Sequence, residues 1–206
     1  MRVHDFLIKE LGRAVPCGVY DLADNAGWVS VGINYDTAAF AVQTIRRWRQ
    51  EIGRVGYPSA TRLLVTAPFG GLGRGRLERL SGFACGNASC SVWPTRSASP
   101  SRCSICRPAR AKWNKIEHRL FSPRITVRGW RAKPLVSYKA IVDLISSTTT
   151  KTGLKVDCER ATNLYPKGIE VSAAERHAIN IERHAFHGEW NYPIRPTNRS
   201  DRAVDS

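Results

Sequence analysis

The stretch from Pro68 to Ala111 constrains this chain more than any other, because it interrupts an otherwise ordinary globular sequence. It is crowded with Gly, Arg, Ser, Pro and Cys, contains no Lys, and has Glu78 as its only acid. Neither the helical period of 3.6 nor the alternation of a half-buried strand survives across it. A fold must be assembled from what lies on either side, residues 1–67 and 112–196, with 197–206 as a disordered tail.

On the N-terminal side, residues 1–12 are uninformative. Residues 18–21 and 27–33, rich in Val, Tyr, Trp and Ile, read as two strands of a hairpin around the turn at 23–26. Asp36 and Thr37 then offer an N-cap to a helix in which Ala41, Ile45, Trp48 and Ile52 share a face. Arg46, Arg47, Arg49 and Gln50 fall outward on that helix, and Gly53 closes it. Trp28 and Trp48 read as core aromatics. The apolar run at 62–67, Arg-Leu-Leu-Val-Thr-Ala, has the form of a buried parallel strand. Two strands, a helix and a buried strand make an α/β sheet.

On the C-terminal side, residues 111–121 read as a helix. Trp113, Ile116, Leu120 and Phe121 form its apolar stripe and leave Glu117 beside that stripe with Asn114 and Lys115 near it. In two-metal phosphoryl transfer, acids from separate elements clamp cations about 4 Å apart, and one acid on a basic helix suits a third ligand. The alternative is a solvated Glu paired with a neighbouring base. Ser137 caps a further helix through Ile141, Val142, Leu144 and Ile145, residues 153–156 suit a strand, and Ser172 with Glu175 forms a capping box for a short helix towards Ile179. The tail from His184 to Pro196 has aromatics but no period. No internal repeat is present.

A net charge of +15 and a pI near 10.1 over 206 residues make an acidic polymer the expected partner, with nucleic acid ahead of an anionic membrane surface. The bases are scattered and no amphipathic helix concentrates them. No apolar run has the length of a membrane span, and the N-terminus does not open a signal peptide, so the expectation is a cytoplasmic protein whose six Cys are thiols or metal ligands.

Several segments together resemble one family: Gly18-Val19-Tyr20-Asp21, Asp36-Thr37-Ala38, residues 62–67, the stretch KWNKIEHRLF at 112–121, Pro134-Leu135-Val136-Ser137-Tyr138, and FHGEWNYPIRP at 186–196. The sequence is similar to the ISAzo-thirteen family of insertion-sequence transposases, the Rhodopirellula-type DDE transposases, over residues 2–67 and 112–196. The resemblance implies a ribonuclease-H-like domain in which two Asp and one Glu bind Mg²⁺ or Mn²⁺ and drive cleavage and transfer of transposon ends. Glu117 matches the third acid. The second belongs directly after Thr66-Ala67, where this chain has Pro68, and the first belongs on a strand upstream of Met1. Asp21 and Asp24 are nearby acids that match other positions of the family. The expectation is an incomplete ribonuclease-H-like mixed sheet lacking its first strand, catalytically inactive. Its DNA-binding set would be Lys112, Asn114, Lys115, Arg119, Arg46, Arg47 and Arg49, and a second copy or an intact transposase would be a further partner.

Codons explain the middle. Ser89 to Arg96 can be encoded by bases that, read one base earlier, give Glu-Leu-Gln-Arg-Leu-Ala-Asp-Glu, an amphipathic helix of the kind the family has there. Arg107 to Ala111 can be encoded by bases that, with the same shift, give Pro-Pro-Gly-Thr-Ser, the family's segment before Lys-Trp-Asn. A frame shift across 68–111 accounts for both. The same region holds Cys85, Cys90, Cys103 and Cys106, whose spacing admits a tetrahedral zinc site and hence an alternative function, a zinc-stapled nucleic-acid-binding module. Shifted codons, which produce Cys without selection for metal, are the preferred reading of those cysteines. Gly70 to Gly75 lacks the Gly-Lys-Ser/Thr ending of a nucleotide loop, and His184 and His187 read as packing or surface residues.

Overall fold

The computed structural model describes residues 13–66, 102–106, 137–169, 172–177, 179–188 and 192–195. The chain divides into two compact units, Met1–Trp48 with Lys115–Lys167 and Arg49–Asn114 with Gly168–Ser206.

The first unit is a three-stranded mixed sheet with a helix on each face. β1 (Val15–Asp21) and β2 (Ala26–Gly32) form the hairpin that the sequence announces, with Val19 opposite Trp28 and Asp21 opposite Ala26. The turn between them ends on Asn25, whose φ of 50° is a left-handed value that Asn tolerates. Its side chain explains why it is held there. The amide oxygen accepts from the Tyr20 hydroxyl at 2.8 Å, and the amide nitrogen donates to the Thr152 carbonyl at 2.9 Å.

On its other side β2 pairs in parallel with β5 (Lys155–Ala161), so β2 is the central strand. A central strand covered on both faces is buried at almost every residue, and β2 is buried from Gly27 to Gly32. α1 (Ala38–Trp48) lies on one face. Thr37 caps it by accepting the Phe40 N–H at 3.3 Å, and Phe40 packs with Val15, Ala161, Cys17 and Tyr165. The opposite face carries α3 (Tyr138–Ser146), capped by Ser137, whose hydroxyl accepts the Ala140 N–H at 3.1 Å. There Val29, Val31, Ile145, Leu154 and Val156 form the larger core cluster. Each such side chain contributes about 1.5–3 kcal/mol on leaving water.

The second unit opens with a π-helical turn, Arg49–Gly53, and a single helical turn, α2 (Arg54–Gly56). Its sheet is β3 (Arg62–Thr66), β4 (Arg102–Cys106) and β6 (Tyr192–Ile194), with β4 central, parallel to β3 and antiparallel to β6. α4 (Ala173–His177) follows Ser172 as its sequence signal predicts.

Three expectations change. The strand at 62–66 forms where expected, yet it lies in this second sheet and not beside the hairpin. Leu64 is 67 % exposed, so the run is not a buried strand. The parallel partner of the hairpin is β5, which continues five residues beyond the short strand read at 153–156 because Cys158 and Ala161 still find apolar cover. Finally, α1 buries Ala38, Phe40, Val42, Thr44 and Trp48, so of the expected face Trp48 is buried while Ala41 and Ile45 are half-buried. Thr44 is buried because its hydroxyl donates to the Phe40 carbonyl at 3.1 Å, which removes the cost of burying it.

Candidate functional site

Of the residues that sequence reasoning selects, Glu117, Lys112, Asn114, Lys115 and Arg119 lie outside the described residues, as do Pro68 and the glycines at 70–75. Arg46, Arg47 and Arg49 lie within them, at the end of α1 and just beyond it.

Arg47 is not simply turned outward. Its Nη2 sits 2.5 Å from Glu159 Oε2 on β5. The other oxygen, Oε1, accepts from the Ser30 hydroxyl at 3.3 Å, and Ser30 Oγ in turn accepts from Trp28 Nε1 at 3.2 Å. Ser30 and Glu159 are register partners on adjacent strands, and Trp28 is two residues away on the same face, so strand alternation places all three beneath α1. This chain of polar groups ties a central strand, an edge strand and the helix above them. Sequence reasoning missed Ser30 and Glu159. Ser30 is an unremarkable alternate residue of a strand, and Glu159 is far from Arg47 along the chain.

Arg46 Nη1 donates to Gln43 Oε1 at 3.3 Å, one turn back on the same helix. In the second unit, burial and then the positive charge of Arg54 pull the Arg49 guanidinium below its ordinary value. Both effects disfavour a cation.

Asp21 is buried at the end of β1 and its Oδ1 accepts the backbone N–H groups of Ala23 at 2.9 Å and Asp24 at 3.3 Å. It acts as the side-chain cap of the hairpin turn, a role that Asp fills by imitating a backbone carbonyl. Asp24 is exposed on that turn. Among the described residues no three His, Cys, Asp or Glu side chains are grouped so as to hold a metal ion.

Cys103 and Cys106 are the described members of the four-cysteine set. They stand on β4, paired with Leu63 and Thr66 of β3. A zinc knuckle needs a tight turn between its two thiolates, and an extended ladder segment spaces residues at about 3.3 Å each. Two other thiols, Cys17 and Cys158, are free. Burial pushes Cys17 up to about 11, opposed by the Thr44 hydrogen bond and aided by Asp36. Burial, with a further push from the Glu159 charge, takes Cys158 up to about 12. Both are inert packing residues at neutral pH. His184 and His187 are exposed on a turn, in keeping with the surface reading.

The family model described as the Rhodopirellula transposase DDE domain matches residues 1–196. This chain belongs to that family. Neither a curated protein nor a solved structure matches it. As a transposase DDE domain, it has the mixed α/β character that the family resemblance implies, with the three-stranded mixed sheet and flanking helices of the first unit. No helix among the described residues is long and apolar enough to cross a membrane.

Proposed function

We propose that this DDE-domain chain is an insertion-sequence transposase remnant that binds DNA in the cytoplasm but neither cuts nor joins it. Its sheet is read as ribonuclease-H-like, supported by an antiparallel hairpin that continues through β2 into a parallel strand, with a helix on each face. The observation that carries the inactivity is Pro68. It stands directly after Thr66-Ala67, where the resemblance puts the second acid, and its side chain has no oxygen for a cation. Glu117 keeps the third position. Without an acid at the second position, a pair of divalent ions loses one of its shared ligands.

Two described acids, Asp21 and Glu159, have structural roles of their own. Asp21 Oδ1 accepts from the turn at 23–24, and both Glu159 oxygens are engaged by Ser30 and Arg47. On this reading the Mg²⁺ or Mn²⁺ of intact relatives lacks one of its ligands in this chain. The segment 68–111 is read as out of frame between two family-like parts, 1–67 and 112–196, with 197–206 as a tail.

Binding is a separate matter, because backbone contacts need only positive charge. A net charge of +15 supports it, with Arg46, Arg49, Lys112, Asn114, Lys115 and Arg119 as contacts and Arg47 reserved for Glu159. The test is a strand-transfer assay with Mg²⁺ or Mn²⁺ on the full chain and on Glu117→Gln, run beside a gel-shift titration on duplex DNA. Salt-sensitive binding without turnover is expected. Turnover that disappears in Glu117→Gln overturns the inactivity, and failure to bind DNA at low salt overturns the partner.

A further inference from the structure

We propose that Arg49 and Arg54 of the second unit form a two-guanidinium seat for one backbone phosphate of duplex DNA. The proposal rests on the reading of this chain as a DNA-binding protein and deepens it. One of the arginines named there gains a partner, Arg54, that no motif of the sequence marks.

The backbone brings the two together. Arg49–Gly53 is a π-helical turn, and Arg54 opens the single helical turn that follows it. In an α-helix, residues five apart stand about 140° apart around the axis. A π turn bonds residue i to residue i+5 and winds more slowly, so it returns residue i+5 towards the side of residue i. Arg49 and Arg54 are such a pair. Their proximity is felt electrically, since burial first and the Arg54 charge second hold the Arg49 guanidinium below its ordinary value.

Neither arginine has a carboxylate. Arg49 is half-buried, and its Nη1 is enclosed without a hydrogen-bond partner. Arg54 is exposed, and among the described residues no ion pair reaches either side chain, in contrast to Arg47 with its Glu159. Glu51 is the one acid from Arg49 to Thr66, and it pairs with neither. An enclosed donor without an acceptor is costly, and like charges on one side repel. A single phosphate answers both, because its oxygens take charge-assisted bonds from each guanidinium fork. A free phosphate offers the same oxygens, but the surroundings favour the duplex. Residues 54–56 and 58–62 are all exposed, which leaves room for a rod-like polyanion, and the net charge of +15 draws it in.

The test uses the full chain, Arg54→Gln, Arg49→Gln and the double variant, each checked for unchanged circular dichroism. Binding to a labelled duplex is titrated between about 50 and 200 mM salt. The double variant should lower the slope of log K against log salt by about 0.9, the share of one phosphate. Arg54→Gln alone should weaken duplex binding at low salt by about fivefold. It should melt no lower than the natural chain without DNA, because it removes a repulsion and no bond. An unchanged slope in the double variant, or an unchanged affinity in Arg54→Gln, overturns the site. A fall in slope of about 1.8 overturns the sharing of one phosphate. Thermal stabilisation by inorganic phosphate that the double variant loses, with duplex affinity unaltered, overturns the duplex as its source. Failure of the natural chain to bind the duplex at low salt removes the DNA-binding reading and this site with it, whereas binding with an unchanged slope removes the site alone.

Discussion

Arg47 on α1 and Glu159 on β5 stand 2.5 Å apart and join a helix to the edge of the first sheet. Their side chains are 36 % and 19 % exposed, so the pair is neither a loose surface contact nor a dry one. Removing Glu159 leaves a half-buried cation and a Ser30 hydroxyl without its acceptor. Glu159→Ala should lower stability by about 1–2 kcal/mol, read from urea midpoints at an unchanged slope. A cycle with Arg47→Ala should return a coupling of about 1 kcal/mol that shrinks in high salt; zero coupling would show that the helix docks without the pair.

Gly32 tests the packing of α1 against the sheet. A Cβ there would stand 2.9 Å from the Phe40 ring, and Phe40 is 1 % exposed with no room to retreat. Gly32→Ala should cost about 2 kcal/mol and lower the melting temperature by about 4–8 °C. Combining it with Phe40→Leu should recover part of the loss, and no recovery would place the strain elsewhere.

Asp21 separates a turn cap from a cation ligand. If its oxygen serves the Ala23 and Asp24 N–H groups, Asp21→Asn should be nearly as stable as the natural chain and Asp21→Ala about 1 kcal/mol less stable. Thermal melts in the presence of Mg²⁺ and in chelator should coincide for all three. A Mg²⁺ stabilisation present only in the natural chain would make Asp21 a metal ligand.

The two buried thiols give a pH dependence of definite sign. Folding raises Cys17 from 9.0 to about 11 and Cys158 from 9.0 to about 12, so the folded chain keeps protons that the unfolded chain loses. Their contribution is complete below pH 9 and disappears as pH rises towards 11 and 12. The natural chain should therefore lose more stability than Cys17→Ala/Cys158→Ala between pH 9 and 11, in denaturant titrations across that range. Parallel decline would show that Lys and Tyr titration accounts for the whole effect. A thiol reagent at pH 8 should react slowly with the folded chain and fast in denaturant.

The bases of the gene decide the reading of residues 68–111. A shift of one base inside codons 67–112 should restore an acid after Thr66-Ala67 or a family-like amphipathic helix near 89–96. Absence of both in every frame would mean that the segment evolved as protein.

Local elements were legible because their signals are local. The hairpin, the Thr37 and Ser137 caps, and the short helix after Ser172 each follow from a few adjacent residues whose hydrogen bonds close within a turn. Strand β4 was not legible. Arg-Cys-Ser-Ile-Cys has no apolar alternation strong enough to announce it, and its ladder depends on β3 and β6, far away in sequence. The same reason hid Glu159. An isolated acid in a strand looks solvated until the register puts it beside Ser30 and under Arg47.

By itself the sequence determined the family and the excess of positive charge, because these are properties of residue identity and order. Only the tertiary structure decided which strand lies beside the hairpin, which face of α1 is buried and what Asp21 and Arg47 do. Those outcomes depend on pairings between distant segments, where the energy of a contact is set by its partner's position and not by its neighbours in the chain.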